Sequence, residues 1–389
     1  MLQVFHNSYF QLMGRTKYVF MLFSGASMAA AFAAMGVLGF NYGIDFAGGT
    51  AVQVRFRERP RITEIRASLE AARLGDVNIQ RIGTPEDNEV LIRVEQREGQ
   101  EMAGGEGGEI SSQILTALRS SLGEAPEKEG RVDLNIVSEP DLREWLEARL
   151  PPPGAEARSI AAAIVRERNQ SGGVYHEISE ALGVGEMTPE AARLLEAEAY
   201  LGAFALRGVD FVGPTAGREL LRNTAMAILG SVAGILIYVW VRFHRVAWGL
   251  ASIIALVHDV SIAAGAMALT GKEFSLPVVA ALLTILGYSI NDTIVVFDRI
   301  RENLRLFRDV DFEEVVNASV NQTLSRTVLT SFTLFVAVTA LYLYGGDKLD
   351  PLSFCMMIGV IVGSYSSIFV AAPLLVVTAR YLGLQYVKA

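Results

Sequence analysis

Six apolar runs, each long enough to cross a bilayer, decide what this chain can fold into. The first extends from Tyr18 to about Phe40. The other five follow a long polar region, at about Thr224–Val241, Val246–Thr270, Phe274–Phe297, Thr327–Tyr344 and Pro351–Ala379. Lipid offers no partner to a backbone N–H or C=O, so runs of this kind become helices. Composition agrees: 51% of the 389 residues are hydrophobic, too apolar for an ordinary soluble protein of this length. The net charge is -8, with the acids concentrated between Glu58 and Glu219, so the basic footprint of a nucleic-acid binder is absent. Cys355 is the one cysteine and lies inside an apolar run, which excludes an intrachain disulfide and a thiolate metal site.

Orientation follows from Lys and Arg in the short loops. Arg15 and Lys17 precede the first run, and Arg242 and Arg245 join the second and third. Arg299, Arg301, Arg305 and Arg308 follow the fourth, and Arg380 and Lys388 end the chain. The opposite short loops hold only Lys272 and Lys348. Residues 1–17 and 380–389 are therefore expected in the cytoplasm, and Asn41–Asn223 outside it. The first run lacks a small-residue cleavage site followed by a mature domain and reads as an uncleaved helix.

The outer region reads as two parts. Thr50–Phe56 alternates as a half-buried strand, Ile62–Leu74 has helical spacing, Val77–Ile82 and Glu89–Val94 are strands around a turn at Thr84–Asn88, and Ile110–Leu122 is helical. Val132–Val137 and Val209–Val212 are short strand candidates. This strand-helix-strand-strand-helix-strand order predicts a ferredoxin-like α+β domain. A segment rich in Ala, Glu and Arg, about 138–207, interrupts it with helices at about Asp141–Leu150, Ala155–Asn169 and Pro189–Ala205, broken at Pro151–Pro153 and Gly172-Gly173. This helical insertion fits a solvated spacer or a partner-docking arm. The glycine-rich Ala103–Gly108 lacks the Lys and Ser/Thr of a phosphate loop, so no nucleotide site is expected.

Asp292 lies well inside the fourth run. A charge at that depth costs several kcal/mol by insertion scales, so it should face protein or water and have a partner. At about 1.5 Å per residue from Ser275 it falls roughly 25 Å in, in the cytoplasmic half. Arg326, at the cytoplasmic start of the fifth run, lies at similar depth and offers charge compensation. A protonated Asp292, or one that only hydrogen-bonds a neighbouring helix, is the structural alternative. His258 and Asp259 sit near the middle of the third run, where His is a natural relay member or caps a helix contact. Being adjacent they point about 100° apart, which argues against one shared path. Asp298 and Arg299 lie at the interface as helix-end anchors, and Leu304–Leu324, within a cytoplasmic segment at about 299–325, suits an amphipathic surface helix. Gly230 with Gly234, and Gly359 with Gly363, are spaced for close helix packing.

Taken together, Gly43–Thr50, Val212–Gly217, Gly287–Asn303, Thr323–Thr327 and Tyr365–Ser367 resemble, in order, the SecF branch of the SecD/SecF family of protein-export membrane proteins, within the resistance-nodulation-division superfamily. The resemblance covers Tyr18–Thr50, the α+β part and Val209 to about Leu382; the insertion departs from the family pattern. It implies half of a twelve-span transporter unit in the bacterial inner membrane, working with SecD, the SecYEG translocon and YajC on exported unfolded polypeptide, in contact with membrane lipid, and driven by the proton-motive force. It implies a proton site at Asp292 with Arg326 as its basic partner, completed by an Asp of SecD. His258 and Asp259 join the candidate proton relay from their place in the third run, and Asp45, Gly48, Gly49, Gly213 and Pro214 are candidate hinges at the two ends of the outer domain. The resemblance calls for no cofactor, no metal and no enzymatic catalysis. Rivals are a small-molecule or lipid exporter of the same superfamily, a non-catalytic translocon scaffold, and an aspartyl protease using Asp259 and Asp292, whose sequence contexts are absent.

Overall fold

The computed structural model describes residues 9–83, 86–95, 107–123, 131–150, 155–307, 310–346 and 348–381. Thr84, Pro85, most of the glycine-rich loop, Pro151–Pro153, Arg308 and Lys388 lie outside the described residues. Two compact units result, residues 1–43 with 219–389, and residues 44–218.

Among the described residues, six helices are long and apolar enough to cross a membrane: Thr16–Leu38, Pro214–Phe243, Val246–Thr270, Leu276–Leu306, Phe312–Tyr344 and Asp350–Tyr381. These are the first to sixth spans below; the second begins ten residues before the expected start at Thr224, outside the first unit. The third, fourth and sixth make the interior, while the first, second and fifth expose most of their apolar surface. Gly359 explains part of this packing: a Cβ there would lie 2.2 Å from Ile285 of the fourth span. Gly265 takes the same role against Ala31 of the first, whose Cα would be 2.7 Å away. Gly230 and Gly234 face open space, so their expected packing role has no counterpart among the described residues. Phe243 stacks on Trp248 at 5.0 Å, and both meet Phe297 edge-on, tying the loop between the second and third spans to the fourth.

The segment Leu304–Leu324 departs from the expected surface helix. The fourth span continues to Leu306 and the fifth begins at Phe312, so the segment is the ends of two long helices. Val315, Val316 and Val320 are buried, and Val316 and Val320 join the helical core instead of lipid. Asn303 Nδ2 donates to Ser319 Oγ and Gln322 Oε1, both at 2.8 Å, stitching the two ends together. The residues before the first span are held in the same place. Asn317 Oδ1 accepts from the Leu12 and Met13 amides at 2.7 and 3.1 Å, and Asn321 Oδ1 accepts from that of Phe10 at 2.8 Å. Lys17 pairs with Glu313 at 2.5 Å.

In the second unit, Gly49–Phe56, Asp76–Ile82, Glu89–Glu95 and Phe204–Val212 form an antiparallel sheet in the order second, third, first, fourth. Alternation puts Val52, Val54, Val90, Ile92 and Val94 on one face, where Ile65, Leu69, Ile114 and Leu118 of the helices Ile62–Ala71 and Gly107–Ser121 cover them. On the other face Arg55 and Arg207 converge on Glu89 at 3.6 and 3.5 Å. The strand expected at Val132–Val137 is not in this sheet. Only Val132–Asp133 pairs, in parallel with Ala199–Tyr200, because the chain then turns around Asp133, whose carbonyl accepts from the amides of Ile136 and Val137. The fourth strand starts at Phe204, inside the segment expected as insertion.

The inserted helices are Glu139–Glu147, Ala155–Gln170, Ile178–Leu182 and Pro189–Glu198; the third was not anticipated, and the last is shorter than expected because Ala199 turns extended to pair. They share a separate core with Val132 and Leu134. Arg168 is buried within it, and one guanidinium nitrogen donates to the Leu134 and Val137 carbonyls at 2.9 and 3.0 Å. Burial lowers its pKa. Tyr175 donates to the Ile164 carbonyl at 2.6 Å, and burial pushes its phenol up to about 12, helped by Glu167.

The chain enters and leaves the sheet through one close-packed junction. Gly48 has φ +72, and a Cβ there would lie 2.9 Å from Pro214 Cα; Gly49 has φ +126, and its Cβ would lie 2.2 Å from the Val94 carbonyl oxygen. Gly49 pairs with Val212. Both positions need glycine twice over, for conformation and for space. Gly213 needs it for neither. Gly49→Ala is therefore expected to prevent stable folding of residues 44–218, and Gly213→Ala to be tolerated, read as thermal stability of the purified full chain. A second expectation concerns pH. The Tyr175 phenol titrates at about 12 in the folded state against about 10 unfolded, so its contribution is present below pH 10 and lost as pH rises to about 12. Proteolysis within residues 155–203 should accelerate over that window, and Tyr175→Phe should flatten the dependence.

Candidate functional site

Two neighbouring groups of charged and hydroxyl side chains lie inside the first unit. The first is built on Asp259 of the third span, which is 0% exposed. Its Oδ2 accepts from Ser289 Oγ of the fourth span and from Ser366 Oγ of the sixth, the latter at 2.7 Å. Its Oδ1 meets His258 Nδ1 at 2.9 Å. The expectation that His258 and Asp259 point apart is corrected here: their Cβ directions differ, but the imidazole swings across to the neighbouring carboxylate. His258 is 3% exposed, stacks on Tyr365 at 6.2 Å, and leaves Nε2 without a partner. The Tyr365 hydroxyl exchanges a hydrogen bond with Ser24 of the first span at 3.0 Å. Gly363 packs against this group, and a Cβ there would come within 3.3 Å of Ser289 Cβ and touch Asp259 Oδ2 at 3.8 Å.

Immediately after Ser366 the sixth span opens into a π-turn, Ser367–Ala371, before resuming as Ala372–Tyr381. Such turns are costly and concentrate at functional positions. The sequence gives no signal for it beyond the Tyr-Ser-Ser motif. Ser289 and Ser366 were also missed as site residues, because serines in an apolar run usually bond their own helix.

The second group surrounds Asp292. It is 3% exposed, and its Oδ2 is buried without a hydrogen-bond partner. One turn earlier, the Tyr288 hydroxyl donates to Ser331 of the fifth span at 2.6 Å, and Ser331 also receives a bond from Ser364 of the sixth at 2.6 Å. Arg326 lies on the fifth span, exposed. It does not come within the 4.0 Å of an ion pair with Asp292, so no direct pair joins the two residues expected to compensate each other. Asp298 pairs with Arg242 at 2.7 Å, and Arg299 donates to Gln322 at 2.5 Å and Glu302 at 2.6 Å, all at helix ends. Asp45, Gly48, Gly49, Gly213 and Pro214 belong to the junction in the second unit. Among the described residues, no group of three or more His, Cys, Asp or Glu side chains is placed to hold a metal.

Comparison with known proteins is consistent along the chain. The family model "Protein export membrane protein SecD/SecF, C-terminal" matches residues 196–380, and the "SecD/SecF GG Motif" matches residues 33–58. The protein translocase subunit SecF of Koribacter versatilis (strain Ellin345) is 38% identical over 394 residues, covering 98% of this chain and 95% of that protein. That of Rickettsia akari (strain Hartford) is 33% identical over 346 residues, covering 89% and 84%. A crystal structure of SecDF, a translocon-associated membrane protein from Thermus thermophilus, superposes with a TM-score of 0.64 at 31% identity over 96% of this chain; this chain spans 39% of the length of that one. A second SecDF structure, in a super-membrane-facing form, gives a TM-score of 0.54 at 30% identity over 99% of this chain and 40% of its own. The chain belongs to the SecF family of protein translocase subunits.

Proposed function

We propose that this subunit couples the proton-motive force to a late stage of protein translocation, with Asp292 as the carboxylate that loads and releases the proton. The observation that carries the reading is Asp292 itself: buried among apolar helices, with one carboxylate oxygen unpartnered and the Arg326 charge on the fifth span close enough to act on it. A buried carboxylate left half-satisfied is expensive, so a site completed by a second chain suits it. SecD, from its half of the twelve-span unit, is the partner that would supply the remaining groups. Protonation of Asp292 removes its attraction for Arg326, and the spans that carry them shift. Moving one charge through 100 mV is worth about 2.3 kcal/mol, so a few protons are enough to bias a packed helix interface.

Residues 44–218 are proposed as an extracytoplasmic ferredoxin-like domain; an antiparallel sheet in the order fourth, first, third, second with two helices on one face supports this. Both termini are cytoplasmic in this reading, the membrane is the bacterial inner membrane, and the exported polypeptide, the SecYEG translocon and YajC are neighbours. Asp259 and His258 belong to the same relay. The glycine junction moves as one body, since Gly48, Gly49 and Pro214 are packed too tightly to flex singly.

Asp292→Asn is expected to abolish proton-dependent export while leaving assembly with SecD intact, measured in vesicles with an imposed proton gradient. Normal export in that variant would leave only a scaffold role. Asp298→Asn serves as the control: its half-exposed pair with Arg242 is worth less than about 1 kcal/mol, so export should be nearly unchanged.

A further inference from the structure

We infer that Asp259 is a second proton-binding carboxylate of this subunit, and that its charge state decides whether the third, fourth and sixth spans are tied together. The inference rests on the proton-driven reading above and gives Asp259, already a member of that relay, a structural consequence of its own.

One side chain joins three helices here. Oδ2 accepts from Ser289 on the fourth span and from Ser366 on the sixth, while Asp259 and its companion His258 sit on the third. A charged carboxylate accepts all three bonds, and bonds to an ionised acceptor are roughly twice as strong as neutral ones. A protonated acid carries one hydrogen that must itself be donated. With that hydrogen on Oδ2, one serine can receive it and the other loses its charge-assisted bond. The step is a simple protonation: the carboxylate takes a proton from hydronium on one side and returns it to water on the other.

Ser366 is the member built to let go. Its hydroxyl already has an alternative acceptor, the Gly363 carbonyl at 3.1 Å. It also stands directly before the π-turn Ser367–Ala371, where the sixth span is already irregular. Loss of the anchor therefore acts where the helix yields most easily. Ser289 lies three residues before Asp292, on neighbouring positions of one helix, so both carboxylates bear on the fourth span.

Few other charges face this pocket. On the third span the neighbour is His258; on the sixth it is Tyr365, stacked on that imidazole. Tyr288 and Asp292 of the fourth span belong to the neighbouring group, and Arg326 of the fifth is exposed. The first span supplies Ser24 to Tyr365, its titratable Lys17 and Tyr18 being about two turns further along. Arg380 and Tyr381 are at the far end of the sixth.

The test is infrared difference spectroscopy of the carboxylic C=O stretch, between about pH 5 and pH 9, on the full chain reconstituted with SecD. One protonated-carboxyl band should vanish in Asp259→Asn and survive in Asp292→Asn. Ser366→Ala should raise the proton affinity behind that band about tenfold, and Ser366→Thr should restore it. If Asp259→Asn does not assemble, the Ser366 pair alone decides. A spectrum with no titrating band sensitive to Asp259 or Ser366 overturns the inference. So does sodium chloride that suppresses the band at fixed pH, which would make this a sodium site. Normal export by Asp292→Asn would overturn the proposed function and leave this readout untouched.

Discussion

A carboxylate with no exposure to solvent, in a bundle meant for lipid, must be surrounded by donors or it will not stay there. Asp259 imposes that demand, and much of the interior answers it. Ser289 and Ser366 come from two other spans to reach one oxygen, and His258 bends across to the other. Hydrogen bonds to a charged group are worth about 1.5–3 kcal/mol each, enough together to offset a penalty of several kcal/mol. The sixth span packs close at Gly363, where an added Cβ would press on Ser289 at 3.3 Å. Packing and polarity are therefore one problem in this bundle.

Asp292 meets the same demand differently. Its neighbours Tyr288, Ser331 and Ser364 bond to one another, and one of its oxygens receives nothing. The fifth span beside it exposes most of its surface, Arg326 included. This contrast fits a chain that is 39% of the length of a solved relative. One carboxylate has both oxygens hydrogen-bonded within this chain, and the other leaves one oxygen without a partner.

The six spans were legible because length and apolarity alone decide them, and the third was placed to the residue at Val246–Thr270. The sheet was legible where strands alternate over six or more residues, as from Thr50 to Phe56. It failed at Val132–Val137, where a β-rich stretch is bent by the turn around Asp133. Leu304–Leu324 failed for a different reason. Its apolar stripe is real, but periodicity does not say whether a stripe meets lipid or protein, and Val316 and Val320 meet the helical core. For the site, single charges in apolar runs stood out at once. Their serine partners did not, since nothing local marks a hydroxyl that will reach a carboxylate 107 positions away.

The fifth span shows how such distant contacts constrain motion. Its first three turns are held on two sides. Asn317 and Asn321 grip the backbone of residues 10–13, while Ser319 and Gln322 receive Asn303 from the fourth span. Glu313 adds its pair with Lys17. Arg326 comes one turn after the last of these anchors, and from there the helix has few fixed neighbours until Ser331. The helix is fixed again further along, by Ser331, by the buried Val338 and by the Tyr342 ring against Phe354, so a change in charge at Asp292 would bear on the stretch between two anchored parts.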